Sequence, residues 1–307
     1  MKKNLATAYI AVSLAMIFWS FTFIWYKKVY QFYNPITTVF FRLIISSVFL
    51  FALMYPLRRI EKIKQGDFKY FLLVAVFNPF LYFIGESYGV KLVSSTLSAV
   101  IIATIPLFTS FTSSVFLNER MTRMNLTGIV LSIVGVSFII FEKNEGIAVS
   151  PLGIAMLMLA VVAAIGYSMV LKKLSYKYSS ITIVSYHNLI GIFLFAPLFF
   201  IFDFNGFKQT GLSQQAWVPL LELAFFGSSF AFIFFTFAIK RIGVGKANAF
   251  TNLIPVLTAI LAFFLLGEMI NIIKVVGISL VIGGLFLSQV KTSGLRERIR
   301  NYIRPSE

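Results

Sequence analysis

The chain has 307 residues, of which 59% are hydrophobic, where a soluble domain carries about 45–50%. Its formal charge of +16 sits in short connections rather than on interleaved basic and aromatic faces, which excludes a nucleic-acid surface and matches the positive-inside bias of membrane proteins. Cysteine is absent, so disulfides and thiolate metal sites are excluded too.

Apolar runs of about 20 residues recur along the whole length, each long enough to cross a hydrocarbon core about 30 Å thick. They predict an all-α integral membrane protein with ten transmembrane helices. The expected spans are 6–26, 35–57, 68–90, 94–117 and 124–142, then 151–172, 179–202, 216–239, 244–267 and 271–290. Lys2 and Lys3 precede the first run as in a signal peptide, but no small-residue cleavage site comes before Lys27, so the run is read as a retained span. With both termini inside, the inner connections and the tail collect 20 of the 27 Lys and Arg, the outer ones collect six, and Arg42 falls within a span. That asymmetry predicts a multi-pass protein of the inner (plasma) membrane with cytoplasmic termini. The basic tail, 291–307, reads as a solvated or membrane-surface helix drawn to anionic lipid.

Two prolines interrupt segments otherwise fit to be buried helices. Pro106 lies in IPLFTSFTSSVFLNER and Pro255 in LIPVLTAILAFFLLGEM, and a glutamate follows each by thirteen residues, Glu119 and Glu268. A shift of 149 lays Lys91 on Lys240, Pro106 on Pro255, Glu119 on Glu268, Gly128 on Gly277 and Gly135 on Gly284. A shift of 145 aligns the earlier parts, Lys27-Lys28 with Lys172-Lys173 and Ile36-Thr37 with Ile181-Thr182. The chain therefore reads as a duplicated five-helix unit, 1–145 and 146–290. Five is odd, so the second copy enters the membrane upside down. Two inverted five-helix repeats with a polar site between them are the plan of many secondary transporters.

These segments also carry a resemblance. IPLFTSFTSSVFLNERMTRMNLTGIVLSIVGV and LIPVLTAILAFFLLGEMINIIKVVGISLVIGG resemble the two halves of the drug/metabolite transporter superfamily, specifically the EamA family. Its members show a proline in helices four and nine, a glutamate closing each, and Gly-rich helices five and ten. Trp19-Ser20 resembles the Trp-Gly of the family's first helix, and GVKLVSSTLSAVI (Gly89 to Ile101) its junction of helices three and four. Asn118 departs from the pattern, standing where the second half has Gly267. The resemblance implies a ten-helix permease of small metabolites, such as amino acids, with export the implied direction.

Ionisable groups within a span cost about 2.5–3.5 kcal/mol each on insertion scales, so each is a functional candidate. Asn78, Tyr82, Glu86 and Gly89 fall at helical spacing as one polar stripe. Glu86 could exchange a proton or pair with a substrate ammonium; the alternative places it near the outer end of its helix, solvated or paired with Lys91. Arg42 and His187 coincide under the 145 shift. Arg42 could hold a carboxylate through a bidentate contact, or pair structurally with Glu86. His187, the only histidine, could carry protons, with Asn188 donating to a ligand beside it. Asn252 sits one turn before Pro255, and Thr104 lies near Pro106. Both can face a cavity or act as hydrogen bonds between helices. Trp19, Tyr82 and Tyr167 could form an aromatic wall.

Glu119 and Glu268 end helices four and nine at opposite membrane faces, where a carboxylate opposes the helix dipole. With Pro106 and Pro255 they are read as gate or hinge elements, capping backbone or pairing with Arg120 or Arg123 inside and Lys274 outside. Gly128/Gly135 and Gly277/Gly284 predict close helix packing, within the bundle or at a dimer contact. No P-loop, zinc spacing, nucleophile elbow or dinucleotide turn occurs, so no catalytic residue, metal or cofactor is expected. The expected partners are the bilayer, a small-molecule substrate and protons, and the protein is a monomer or homodimer. The first reading is a secondary transporter powered by a gradient; a membrane enzyme or a non-transporting scaffold is the alternative.

Overall fold

A computed structural model describes residues 2–108, 123–140, 150–211 and 213–289, and every regular element within them is a helix. In chain order these are α1 (Lys2–Val29), α2 (Pro35–Met54), α3 (Gln65–Leu92), α4 (Ser95–Phe108) and α5 (Arg123–Ile140). There follow α6 (Pro151–Ser175), α7 (Ser180–Thr210), α8 (Gln214–Ile242), α9 (Lys246–Leu266) and α10 (Ile272–Gln289). Seven of these are long and apolar enough to cross a membrane, and α4, α5 and α10 supply shorter apolar stretches among the described residues. Large apolar side chains such as Val48, Phe193, Ile201 and Phe264 point outward. Such a surface suits lipid rather than water.

Local chemistry sets the helix ends. Pro35 and Pro151 open α2 and α6, where a missing N–H is harmless. Ser94, Ser150 and Ser179 accept from the backbone N–H three residues on, at 3.2 Å each, and so cap α4, α6 and α7. Gly243 and Gly267, at φ of 83° and 70°, stop α8 and α9 in a conformation that needs no β-carbon.

Further caps come from across the chain. Asp203, at the far end of α7, accepts from the Thr37 N–H and hydroxyl at 3.0 and 2.8 Å, capping the start of α2. Glu61, beyond the end of α2, accepts from Ser179 N–H at 3.3 Å and donates its own N–H to Thr182 Oγ1 at 3.0 Å. Thr37 and Thr182 are partners under the 145 shift, so α2 and α7 run antiparallel and cap one another. On the Glu61 side Lys177 forms an ion pair with Asp67 at 2.6 Å, and that hydrogen bond holds the lysine above its usual pKa.

The glycines bring helices into close contact within the chain. A β-carbon on Gly135 would stand 2.6 Å from the Gly277 carbonyl oxygen, and Gly284 meets the Gly128 carbonyl. Each of these glycines thus packs against the repeat partner of the other, and α5 and α10 form an antiparallel pair. The glycine contact lies inside the chain, resolving the choice between bundle and dimer left open by the sequence.

The helices are broken where the repeat predicts it. α4 turns at Ala103–Thr104, and α9 passes through a 3₁₀ turn at Phe250–Asn252, in each case just ahead of the proline that lacks an N–H for the preceding turn. The repeat also relates a second pair of breaks. α3 widens to a π-helix over Val76–Leu81, where Asn78 is non-helical and precedes a cis Pro79, and α8 widens over Leu223–Phe230. The 149 shift carries the first of these segments into the second. Wide turns of this kind concentrate at functional sites.

Candidate functional site

The breaks surround a small, mostly apolar cavity lined by residues of α1, α2, α3, α4, α6, α8 and α9. Most of its lining falls into pairs related by the repeat shifts: Trp19 with Ala164, Thr22 with Tyr167, Phe23 with Ser168, Phe83 with Phe232, Glu86 with Phe235, Ile102 with Thr251 and Ile105 with Ile254. The cavity therefore sits between the halves, each contributing corresponding positions.

Its polar pole belongs to the first half. The buried Arg42 donates from Nε to Ser228 Oγ at 2.7 Å and from Nη1 to the Tyr26 hydroxyl. Tyr26 in turn donates to Glu86 Oε2 at 3.1 Å, and Tyr82 donates to Glu86 Oε1 at 2.9 Å. The guanidinium also lies over the Phe83 ring, 4.3 Å from its centroid. Arg42 and Glu86 are thus joined through a shared tyrosine hydroxyl, which spreads the cost of burying both charges over a hydrogen-bonded chain. Lys91 takes no part: its amine donates to Asn34 Oδ1 at 2.9 Å, which corrects the alternative that paired it with Glu86.

Of the predicted substrate residues, the cavity gathers Trp19, Arg42, Asn78, Tyr82, Glu86 and Tyr167. Gly89, on the same predicted stripe, instead packs on Leu157 and Gly153 of α6. Thr104 lies elsewhere, in an apolar crevice between α4, α5 and α6, with its hydroxyl bonded back to the Ile101 carbonyl at 2.6 Å. The turn that frees Thr104 from the helix also rotates it away. Asn252 is buried beside the cavity, but its 3₁₀ turn presents Asn248 and Thr251 to the lining in its place. His187 and Asn188 on α7 stand behind the wall, Asn188 donating to Ser46 Oγ at 2.7 Å and to the Ser228 carbonyl at 3.0 Å.

Several lining residues were not named from the sequence, Tyr26 and Ser228 of the polar chain among the site's other omissions. Two signals would have found some of them. Trp19, Thr22 and Tyr26 share one helical face, and transposing each candidate by its repeat shift leads from Trp19 to Ala164 and from Glu86 to Phe235.

Glu268 takes the first of its two expected courses, capping backbone, and not the pairing with Lys274. Its carboxylate accepts from the backbone N–H groups of Ser95 and Thr96 at 2.8 and 3.3 Å and from the Thr96 hydroxyl at 2.7 Å. Lys274 donates to the Met269 carbonyl at 2.6 Å. The carboxylate that opposes the dipole of its own helix complements the start of α4. Glu119 lies outside the described residues. Among those described, no group of three His, Asp or Glu side chains could hold a metal ion.

Comparison with known proteins gives a consistent result. The model of the EamA-like transporter family matches residues 6–141 and again 151–289. The uncharacterized transporter YetK of Bacillus subtilis is 27% identical over 81% of this chain and 77% of its own. A probable terminal-alkyne amino-acid exporter of Streptantibioticus cattleyicolor is 26% identical over 83% of this chain and 84% of its own. One solved crystal structure superposes with a TM-score of 0.69 at 14% identity, covering 92% of this chain and 98% of that one, a likeness of fold.

Proposed function

The chain belongs to the EamA-like transporter family, and on that premise we propose that it moves amino acids and related small zwitterions by alternating access between two inverted five-helix repeats. It is a membrane transporter, not an enzyme. Ten spans, an inner-membrane location and cytoplasmic termini complete the proposal. Export is its direction, a reading favoured by the name of the Streptantibioticus relative.

The cavity lining carries this reading. Corresponding positions of both halves face one space, and equivalent helices pack antiparallel, α2 on α7 and α5 on α10. Exchange of conformation between two such halves turns access from one face to the other. The polar pole fits a zwitterion: Arg42 takes the carboxylate and Glu86 the ammonium, with Asn78, Tyr82, Trp19 and Tyr167 enclosing the remainder. Pro106 and Pro255 serve as hinges, and Glu268, on the same side as Lys27 and Lys91, closes that face. Glu86 is the coupling site for protons, since neutralising it releases the ammonium and leaves the Arg42 charge to be compensated by the next occupant.

Counterflow of labelled amino acids into vesicles containing the purified protein tests the proposal. Accumulation that responds to an imposed pH gradient, and loses the response in Glu86→Gln, is the expected result. Flux indifferent to the gradient refutes coupling, and absence of counterflow for every amino acid refutes the substrate class.

A further inference from the structure

The fold described so far leaves a set of buried polar atoms unused. His187 is fully buried, and neither of its ring nitrogens has a hydrogen-bond partner among the described residues. The Tyr167 and Thr236 hydroxyls face one another and Asn188 faces the His187 ring, but neither contact has the geometry of a well-formed hydrogen bond. These atoms come from α6, α7 and α8 and meet behind the cavity wall. Buried polar groups in proteins are almost always satisfied, and each one left without a partner forfeits its hydration. Five such atoms in one place, with only poorly aligned contacts among themselves, have capacity for a partner from outside the chain.

A single ring divides this locus from the cavity. Phe232 lines the cavity, contacts Trp19 with centroids 5.1 Å apart, and meets the His187 ring edge-on at 5.3 Å. Tyr167 lies on both sides of the division: it lines the cavity and stands 6.0 Å from His187. Arg42, Glu86 and Phe232 line one cavity, so a ligand held by its charged head at the polar pole has Phe232 within reach of its tail. The groups behind that ring are a phenol, a hydroxyl, an imidazole and an amide oxygen. They offer both donors and acceptors.

We propose that this locus is the far end of the substrate site, an annex behind Phe232 that hydrogen-bonds the tail of the substrate. The transported class is then zwitterions with an uncharged polar tail, a hydroxyl or carboxamide, in preference to apolar isosteres. This rests on the zwitterion reading of the cavity and adds tail selection to it. Rotation of the Phe232 ring joins the two spaces. A site built to bond a polar tail rejects the analogue that lacks it, because the annex atoms are then left unpaired.

His187 is the single histidine of the chain, so its ring nitrogens give the only imidazole signals in a ¹⁵N spectrum of the labelled protein. The experiment titrates purified protein with L-glutamine against L-methionine and with L-threonine against L-valine, recording affinity and the His187 resonances. The expected result is affinity about tenfold or more higher for the polar member of at least one pair, with a shift of the His187 nitrogens by that member alone. Thr236→Val and Tyr167→Phe should each bring the affinity ratio below about threefold. Equal affinity within each pair, or a bound polar member that leaves His187 unmoved, overturns the annex. If none of the four binds, the zwitterion reading falls, and magnetisation transfer between water and the His187 nitrogens in ligand-free protein still decides the annex: transfer supports it and a dry ring overturns it.

Discussion

Replacing Glu268 by glutamine keeps the shape of the side chain and removes its charge. The carboxylate uses Oε1 for the Ser95 N–H and Oε2 for the Thr96 N–H and hydroxyl. Glutamine has one acceptor oxygen, and its amide N–H group would face a donor. At least one charge-assisted bond is lost, at about 1.5–3 kcal/mol, together with about 0.3–1 kcal/mol of attraction to the start of α4. Glu268 is only partly buried, so the lower end applies, about 2 kcal/mol, or roughly a 30-fold shift in the balance between closed and open at this face. From a closed-to-open ratio of about 100, the open fraction rises from about 1% to about 25%. The chain contains no cysteine, so Ala164→Cys on the cavity wall creates a unique label site. A membrane-impermeant maleimide applied from the Glu268 side should modify it about 20-fold faster in the Glu268→Gln background. An unchanged rate in a protein that unfolds at the usual temperature would refute the idea that this carboxylate closes the face.

Three other substitutions probe the scaffold. Arg42→Met strips the Glu86 network of its positive member and should cost about 3–5 kcal/mol; the double variant Arg42→Met/Glu86→Gln should recover much of it, and thermal unfolding in detergent that finds the double no better than the single contradicts the shared network. Gly135→Ala places a methyl 2.6 Å from the Gly277 carbonyl oxygen and should destabilise by about 1–3 kcal/mol, read as a lowered unfolding midpoint. Asp203→Asn should cost about 1 kcal/mol by weakening the cap on α2. It should be non-additive with Thr37→Val, since both remove the same contact.

The duplicated Pro–Glu pattern is visible because both residue types are costly where they stand, and a costly residue repeated in register rises above chance matches among apolar ones. It points to the two halves and to the breaks in α4 and α9. Backbone capping is one of the two roles the pattern suggests for Glu268, but the pattern could not name which helix start supplies the N–H groups, because backbone carries no letter. The exact facing of Thr104 and Asn252 is not legible for a related reason: the sequence marks a break near each proline but not its pitch, and a change of pitch rotates every side chain beyond it. The π-segments of α3 and α8 share that origin, since Asn78-Pro79 has only Gly227-Ser228 as its counterpart. Two unlike dipeptides break the two helices at one place.

The same comparison limits how far the symmetry reaches. The lining positions correspond between halves, but their chemistry does not: Glu86 answers to Phe235, Trp19 to Ala164, and Arg42 to His187. A scaffold needs matched shape in both halves, because each must adopt the other's conformation for access to alternate. A binding site needs the reverse, since a zwitterion with a head and a tail has no two-fold symmetry. In the proposed zwitterion site, placing both charges in one repeat sets a single orientation and leaves the other repeat to meet the tail with neutral groups. Ser228 joins the two arrangements: it occupies the position of Pro79, and its hydroxyl accepts from Arg42 while its carbonyl accepts from Asn188, the neighbour of His187. The charged pole of one half is therefore bonded directly to the helix break of the other, and under the proposed alternating access a substrate that draws Arg42 away from Ser228 acts on that segment of α8.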